Sequence, residues 1–264
     1  MDNDIKTLRL RRGKEESLDR FHPWVFSGAL AEPLPEGLEE GETVRVVSHD
    51  GRIIGVGHFQ IGSIAVRILD FADTGINGEF FAGRLSAALR LRKALRLARP
   101  DNDAYRLVHG EGDFLPGLVV DIYGPTAVVQ AHSPGMHFAR NEIAQALVGL
   151  PDVGVRNVYY KSETTLPYKA HLDPQNDYLI GGFETSVATE NSLKFNIDWL
   201  RGQKTGFFLD QRDNRELLGR YSQGRKVLNM FCYTGGFSVY ALKGGAELVY
   251  SVDSSEKAIT LTDA

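Results

Sequence analysis

Polar and apolar residues alternate along Lys6-Thr7-Leu8-Arg9-Leu10-Arg11, the pattern of a strand with one wet face. Residues 43–47 and 64–69 are β-branched runs, and Asp50-Gly51 supplies a turn between strands. Short strands with close turns predict a small β-barrel over residues 1–73. Within it, residues 17–26 read as one short helix limited by Pro23, and residues 32–37 as a surface loop.

From Gly78 the period changes from two to 3.6. Phe80, Ala87, Leu91, Ala94, Leu95 and Ala98 share one face of a helix that ends at Pro100-Asp101, with Arg92, Lys93, Arg96 and Arg99 elsewhere on the cylinder. Residues 113–118 form a turn between two strands, and residues 118–123 and 126–130 are strands joined through Gly124-Pro125. A helix follows over 137–147 and a strand over 155–160, so residues 74–182 are predicted to be an α+β domain.

The third segment, residues 183–264, opens with a strand at 193–197, a loop at 203–211 and a helix at 213–221. Strand 226–230, a turn at 232–236, helix 237–243 closed by Gly244-Gly245, and strand 248–252 ending at Asp253 then follow. Ser254 or Ser255 caps a further helix. This is the start of a Rossmann-like α/β domain. The fold class is therefore multi-domain: a barrel, an α+β unit and an α/β segment.

The motif with chemistry in it is Val227-Leu228-Asn229-Met230-Phe231-Cys232-Tyr233-Thr234-Gly235-Gly236-Phe237-Ser238, followed by Val252-Asp253. A strand feeds a glycine turn, and the turn feeds a helix whose N-terminus offers unpaired N–H groups. The carboxylate on the next strand tip can accept both hydroxyls of a ribose. The dinucleotide fingerprint wants G-x-G-x-x-G, whereas Gly235 and Gly236 are adjacent with no third glycine at the required spacing. S-adenosylmethionine carries no phosphate, so this looser turn suits it better than a nicotinamide dinucleotide. A second stretch, Gly202-Gln203-Lys204-Thr205-Gly206-Phe207-Phe208-Leu209-Asp210-Gln211-Arg212-Asp213-Asn214-Arg215, mixes aromatic, basic and acidic residues without periodicity.

These two stretches together closely resemble the bacterial large-subunit ribosomal RNA methyltransferases that make 5-methylcytosine. The resemblance runs in order along the chain and is motif-grade over residues 202–255. It implies an N-terminal PUA-like RNA-binding barrel, a central α+β domain and a Rossmann-like methyltransferase domain. It also implies that Phe231, Tyr233, Thr234, Gly235 and Gly236 line S-adenosylmethionine and that Asp253 holds its ribose, with Gln211 and Arg212 bordering the cleft. The substrate it implies is 23S ribosomal RNA, methylated at cytosine C5.

That reaction uses a cysteine thiolate that adds to cytosine C6. Cys232 is the only cysteine and sits in the cofactor turn, so it reads as a small buried apolar residue. The family's catalytic cysteine and Asp-Pro-Pro loop lie further along and do not occur in this sequence. The expectation is a C-terminally truncated enzyme with no catalytic residue in this chain, unable to complete the transfer alone. The strand at 248–252 is then expected to need a partner, for which a second copy, as in a homodimer, is one source.

Composition narrows the rest. The 264 residues carry a formal net charge of -4, which argues against nucleic-acid binding by bulk charge but not by a local patch. Lys6, Arg9, Arg11, Arg12 and Lys14 make one such patch, with Phe21, Trp24 and Phe26 close behind it. Phosphates need cations and unpaired bases stack on aromatics; the other reading makes Trp24 and Phe26 barrel core. Arg92 and Arg96 belong to a second candidate patch, or to the wet side of their helix. The lone cysteine excludes a disulfide framework and fits a reducing cytoplasm. No signal peptide or membrane span is evident. His109-Gly110-Glu111-Gly112-Asp113 reads as a hairpin loop, and His58, His132, His137 and His171 lack metal-ligand spacing. No glycine-elbow serine accompanies them. Two rivals stay open: a stand-alone RNA-binding module without methyltransferase activity, and a nicotinamide-dependent oxidoreductase.

Overall fold

The computed structural model describes residues 5–167, 170, 172 and 174–263; the acidic Met1–Asp4 and His171 lie outside them. Two compact units emerge, one of residues 1–98 with 106–184, the other of residues 99–105 with 185–264.

The first unit begins with the expected barrel. Its strands are β1 (Thr7–Arg9), β2 (Trp24–Phe26), β3 (Thr43–Val47), β4 (Ile53–Phe59) and β5 (Ile64–Asp70), in the order β1-β3-β4-β5-β2. Beyond the strands, an isolated antiparallel bridge links Leu10, just past β1, to Leu30, four residues past β2. Leu8, Leu10, Val25, Val44, Val46, Val66 and Ile68 fill the interior. The helix expected over 17–26 is corrected. Only α1 (Glu16–Asp19) is helical, because Phe21 is left-handed at φ 63 and Pro23 follows, after which the chain enters β2.

Next comes α2 (Gly78–Ala94), capped by Asn77, whose side chain accepts the Phe80 N–H. The expected apolar face is also corrected. Phe81, Leu85, Ala88, Leu89 and Arg92 point inward, while Leu91 and Leu95 are exposed. The helix stops at Ala94, before the left-handed Arg96. A five-stranded sheet follows in the order β10-β9-β8-β7-β6, from β6 (Ala104–His109), β7 (Leu118–Tyr123), β8 (Thr126–Ala131), β9 (Asn157–Tyr160) and β10 (Asp177–Ile180). The single helix expected over 137–147 is two, α3 (Pro134–Phe138) and α4 (Arg140–Val148), and α4 packs against α2.

The second unit holds a hairpin of β11 (Val187–Glu190) and β12 (Leu193–Asn196), then α5 (Arg212–Tyr221). The expected strand-turn-helix-strand follows as β13 (Lys226–Met230), α6 (Gly236–Lys243) and β14 (Leu248–Val252), ending in α7 (Glu256–Asp263). β13 and β14 pair in parallel, from Lys226 opposite Leu248 to Met230 opposite Val252. Among the described residues β14 has no second neighbour in its sheet, and Leu228, Met230, Tyr250 and Val252 are exposed on this pair.

Candidate functional site

The link from β13 to α6 is a tight coil built from alternating left-handed residues: Phe231 at φ 57, Tyr233 at φ 49 and Gly235 at φ 74. That conformation costs a side chain about 1–2 kcal/mol, so two such aromatics mark a turn shaped for something besides stability. The Cys232 N–H donates to Val252 O at 3.1 Å and the Gly235 N–H to Cys232 O at 2.9 Å, which folds the coil against the tip of β14. Gly235 is required twice over, since a Cβ there would also stand 2.6 Å from Thr262 Cγ2 of α7.

Asp253 faces this coil, as expected. Its Oδ2 accepts the Tyr233 N–H at 2.8 Å and its Oδ1 the Ser255 N–H at 2.9 Å. The backbone N–H groups of Ser255 and Tyr233 hold its carboxyl below the usual carboxylate range. It is a fixed anion with lone pairs to spare.

A cavity of about 730 Å³ opens between the coil, Asp253 and the loop before α5, within the ordinary size range of a small-molecule pocket. Of the residues expected on the cofactor, Phe231, Tyr233, Thr234, Gly236, Asp253 and Gln211 line this cavity. Two expected residues do not. Gly235 shapes the coil from behind. Arg212 is turned elsewhere: its guanidinium donates to Ala104 O and its Nε lies 3.3 Å from Glu190 Oε2. Phe207, Phe208, Asp198, Lys204, Arg215 and Lys257 are lining residues that the sequence did not single out as cofactor contacts.

Tyr233 ties the walls together. Its hydroxyl accepts the Gln203 N–H at 3.1 Å and donates to Gly206 O at 3.3 Å, while its ring meets Phe208 edge-on at 5.2 Å. Behind the loop, Glu190 is completely buried and takes Arg215 in a fork, 2.8 Å to Nε and 2.7 Å to Nη2. The Tyr240 hydroxyl adds a bond to Glu190 Oε1 at 3.0 Å. Arg215 also donates to Phe208 O at 2.9 Å, and its guanidinium carbon stacks 4.5 Å from the centre of the Phe207 ring. A carboxylate at an inward strand position was the available sign of this network, because a buried charge demands a partner.

Cys232 is buried, and burial pushes its thiol above the usual range. It lines the cavity from within the coil, and a thiol held up in this way suits a wall residue better than a nucleophile. Among the described residues no cluster of metal-ligating side chains occurs, and no helix is long and apolar enough to cross a membrane.

The residues expected on RNA divide sharply. Arg12 and Lys14 are exposed, with no side-chain partner among the described residues. Lys6 binds Glu42 at 2.8 Å, Arg9 donates to His49 O at 2.9 Å and Arg11 to Leu30 O at 2.8 Å. Arg96 is exposed beyond α2. Arg92 corrects the expectation of a wet-face cation: it is only 8% exposed, its fork held by Asp113 (2.8 Å at Nη2) and its Nε donating to Arg106 O at 2.9 Å. Trp24 and Phe26 are not barrel core. The inward residue of β2 is Val25, and Phe26 is 49% exposed.

Comparison with known proteins agrees with this geometry. Residues 8–71 match the PUA-like domain family and residues 161–261 the S-adenosylmethionine-dependent methyltransferase family. The chain is 40% identical over 260 residues to a ribosomal RNA large subunit methyltransferase I of Tolumonas auensis, covering 97% of this chain and 64% of that protein. Its counterpart in Alteromonas mediterranea is 42% identical over 257 residues, covering 96% and 63%. The chain thus spans just under two thirds of the length of these relatives. A proposed SAM-dependent methyltransferase from Streptococcus mutans shares the fold with a TM-score of 0.77 at 24% identity, covering 98% of this chain and 66% of that one. A second proposed methyltransferase, solved with SAH, aligns with a TM-score of 0.78, also at 24% identity, covering 98% of this chain and 65% of that one. S-adenosylmethionine, the cofactor expected from the glycine turn, agrees with the methyltransferase match. The chain joins a PUA-like barrel to S-adenosylmethionine-dependent methyltransferase sequence, and it is similar along nearly its whole length to large-subunit ribosomal RNA methyltransferases.

Proposed function

We propose that the cavity of the second unit holds S-adenosylmethionine as the methyl donor for 23S ribosomal RNA, at cytosine C5 and in the cytoplasm, with this chain supplying the donor pocket and not the nucleophile. The observation that carries the reading is the pocket bounded by both motif stretches, with Asp253 fixed at the edge of the coil.

The residues present suit that cofactor. Asp253 retains acceptor capacity for a ribose hydroxyl pair, and Gly236 lets the backbone come close, since a Cβ there would already stand 3.1 Å from Arg215 Cδ. Phe207, Phe208, Phe231 and Tyr233 give flat apolar walls for an adenine ring, and aromatic faces attract a cationic sulfur. When bound, S-adenosylmethionine supplies a methyl group made electrophilic by its sulfonium. The chain's own part is to orient it: Asp253 fixes one end, Tyr233 clamps the loop, and Arg215 stiffens the loop from behind. None of these is a nucleophile, and Cys232 belongs to the wall of the cofactor cavity with a thiol that burial pushes up.

Titration calorimetry with S-adenosylhomocysteine and, separately, NAD tests this. Binding of the first and not the second is expected, with Asp253→Ala weakening it by about tenfold or more. Binding of NAD alone would replace the reading with the oxidoreductase one.

A further inference from the structure

The first unit carries a second cavity, of about 440 Å³, where β2 and β5 of the barrel meet the turn after β6. Its chemistry is unlike that of a packing defect. Trp24, Arg67, His109, Glu111 and His132 all line it. The Trp24 indole N–H donates to Glu111 Oε1 at 2.8 Å, and the Arg67 guanidinium lies 3.7 Å from the same oxygen and 5.8 Å from the centre of the Trp24 ring. Glu111 Oε2 has no hydrogen-bond partner among the described residues. It is an acceptor at a groove that already contains an aromatic face and a cation.

The groove is built, not incidental. Glu111 sits on a 3-10 turn, Gly110–Asp113, and Asp113 anchors that turn by accepting the His109 N–H at 2.6 Å and gripping the buried Arg92 of α2. Gly117 closes the turn at φ 86, where a Cβ would stand 2.6 Å from Ser133 Oγ. On the barrel side, Phe26 and His22 continue the aromatic surface from Trp24: Phe26 packs edge-on to Trp24 at 6.4 Å and His22 stacks on Phe26 at 6.5 Å. A carboxylate oxygen with open lone pairs selects a base edge rich in N–H donors, exposed aromatic faces select flat rings, and Arg67 tolerates phosphate nearby.

We propose that this groove binds single-stranded RNA by taking one unpaired guanine, its N1–H and N2–H edge on Glu111 and its ring beside Trp24, with the next base on Phe26. The inference rests on the RNA-methyltransferase reading for the identity of the ligand, but on different residues and a different unit. Arg92 and Asp113 are positioning residues for this groove.

Tryptophan fluorescence reads the site directly, because the only other tryptophan, Trp199, is buried at 1% exposure in the second unit. The protein is titrated with five-nucleotide oligomers of guanosine–uridine, cytidine, adenosine and uridine composition. The expected result is quenching with a preference of about tenfold for the guanine-bearing oligomer over the cytidine one. Glu111→Gln should reduce that preference to near unity while leaving the thermal midpoint unchanged, and Trp24→Phe should abolish the quenching. If Trp24→Phe unfolds, the Glu111→Gln selectivity alone carries the test. Equal quenching by all four oligomers, no quenching by any, or an unaltered preference in Glu111→Gln overturns the proposal. S-adenosylhomocysteine calorimetry on the same sample keeps the two readings apart: its failure sinks the methyltransferase assignment and leaves the guanine preference to be judged on its own data.

Discussion

Gly235 shows how little room the cofactor coil has. Its φ of 74 suits only glycine comfortably, and the methyl of Thr262 occupies the space a Cβ would take. Gly235→Ala should lower stability by about 1–2 kcal/mol or more in urea unfolding, and weaken S-adenosylhomocysteine in proportion as the coil shifts. His58 illustrates a different constraint. It is buried on β4 against Gly135, and burial holds its imidazole down at about 4, against 6.5 ordinarily. The unfolded chain therefore takes up a proton between pH 6.5 and about 4 that the folded chain refuses. Stability is full above that window and declines as pH falls through it, by up to about 3 kcal/mol. Urea midpoints of the protein and of His58→Gln, compared from pH 7.5 to 4.5, check this; parallel curves would mean that His58 contributes nothing. Asp253 was legible from spacing, because strand, turn and helix fix where it must stand, whereas Thr234 and Gly236 came in with the family resemblance. Arg212 was not, because Gln211 ends a short 3-10 turn while Arg212 begins α5 and turns to Ala104 and Glu190.

The helix α2 marks where periodicity misleads. Two apolar stripes, one through Phe80 and Leu91 and one through Phe81, Leu85 and Leu89, compete on that helix, and the rule that arginine faces water chose the wrong one. Arg92 is inward because Asp113, far along the chain and on another segment, neutralises it, and no local pattern carries that information. The hairpin β11–β12 was half seen for a similar reason. Val187–Glu190 ends in a carboxylate that looks like loop until Arg215 is found beneath it. Glu190→Ala leaves that guanidinium buried without its counter-ion, which should cost about 3–5 kcal/mol, whereas Glu190→Gln keeps the shape and should cost less. Thermal unfolding followed by circular dichroism ranks the two, and equal losses would contradict a charge-based role. By contrast the run from β13 to α7 was legible almost to the residue, since alternation, a glycine coil and serine capping all point the same way.

Taken together, the chain is mildly acidic, so the proposed RNA binding rests on a few cations in the right place. Within the basic patch Arg12 and Lys14 are the side chains not already engaged by the barrel's own carbonyls and carboxylates. Arg12→Glu with Lys14→Glu should weaken binding to a ribosomal RNA fragment and make the salt dependence shallower by roughly one for each phosphate no longer neutralised. An unchanged slope, measured by filter binding across a salt series, would remove this patch from the interface. The barrel class was readable from short strands with close turns, but the bridge between Leu10 and Leu30 was not, because it joins residues outside the strands that share no pattern. The Tyr233 side chain, finally, couples motions that would otherwise be separate. With its hydroxyl on the loop and its amide on Asp253, neither the Gln203 nor the Tyr233 N–H can meet solvent without disturbing the same residue. Their deuterium uptake should run at one shared rate, and a ligand that slows one should slow both.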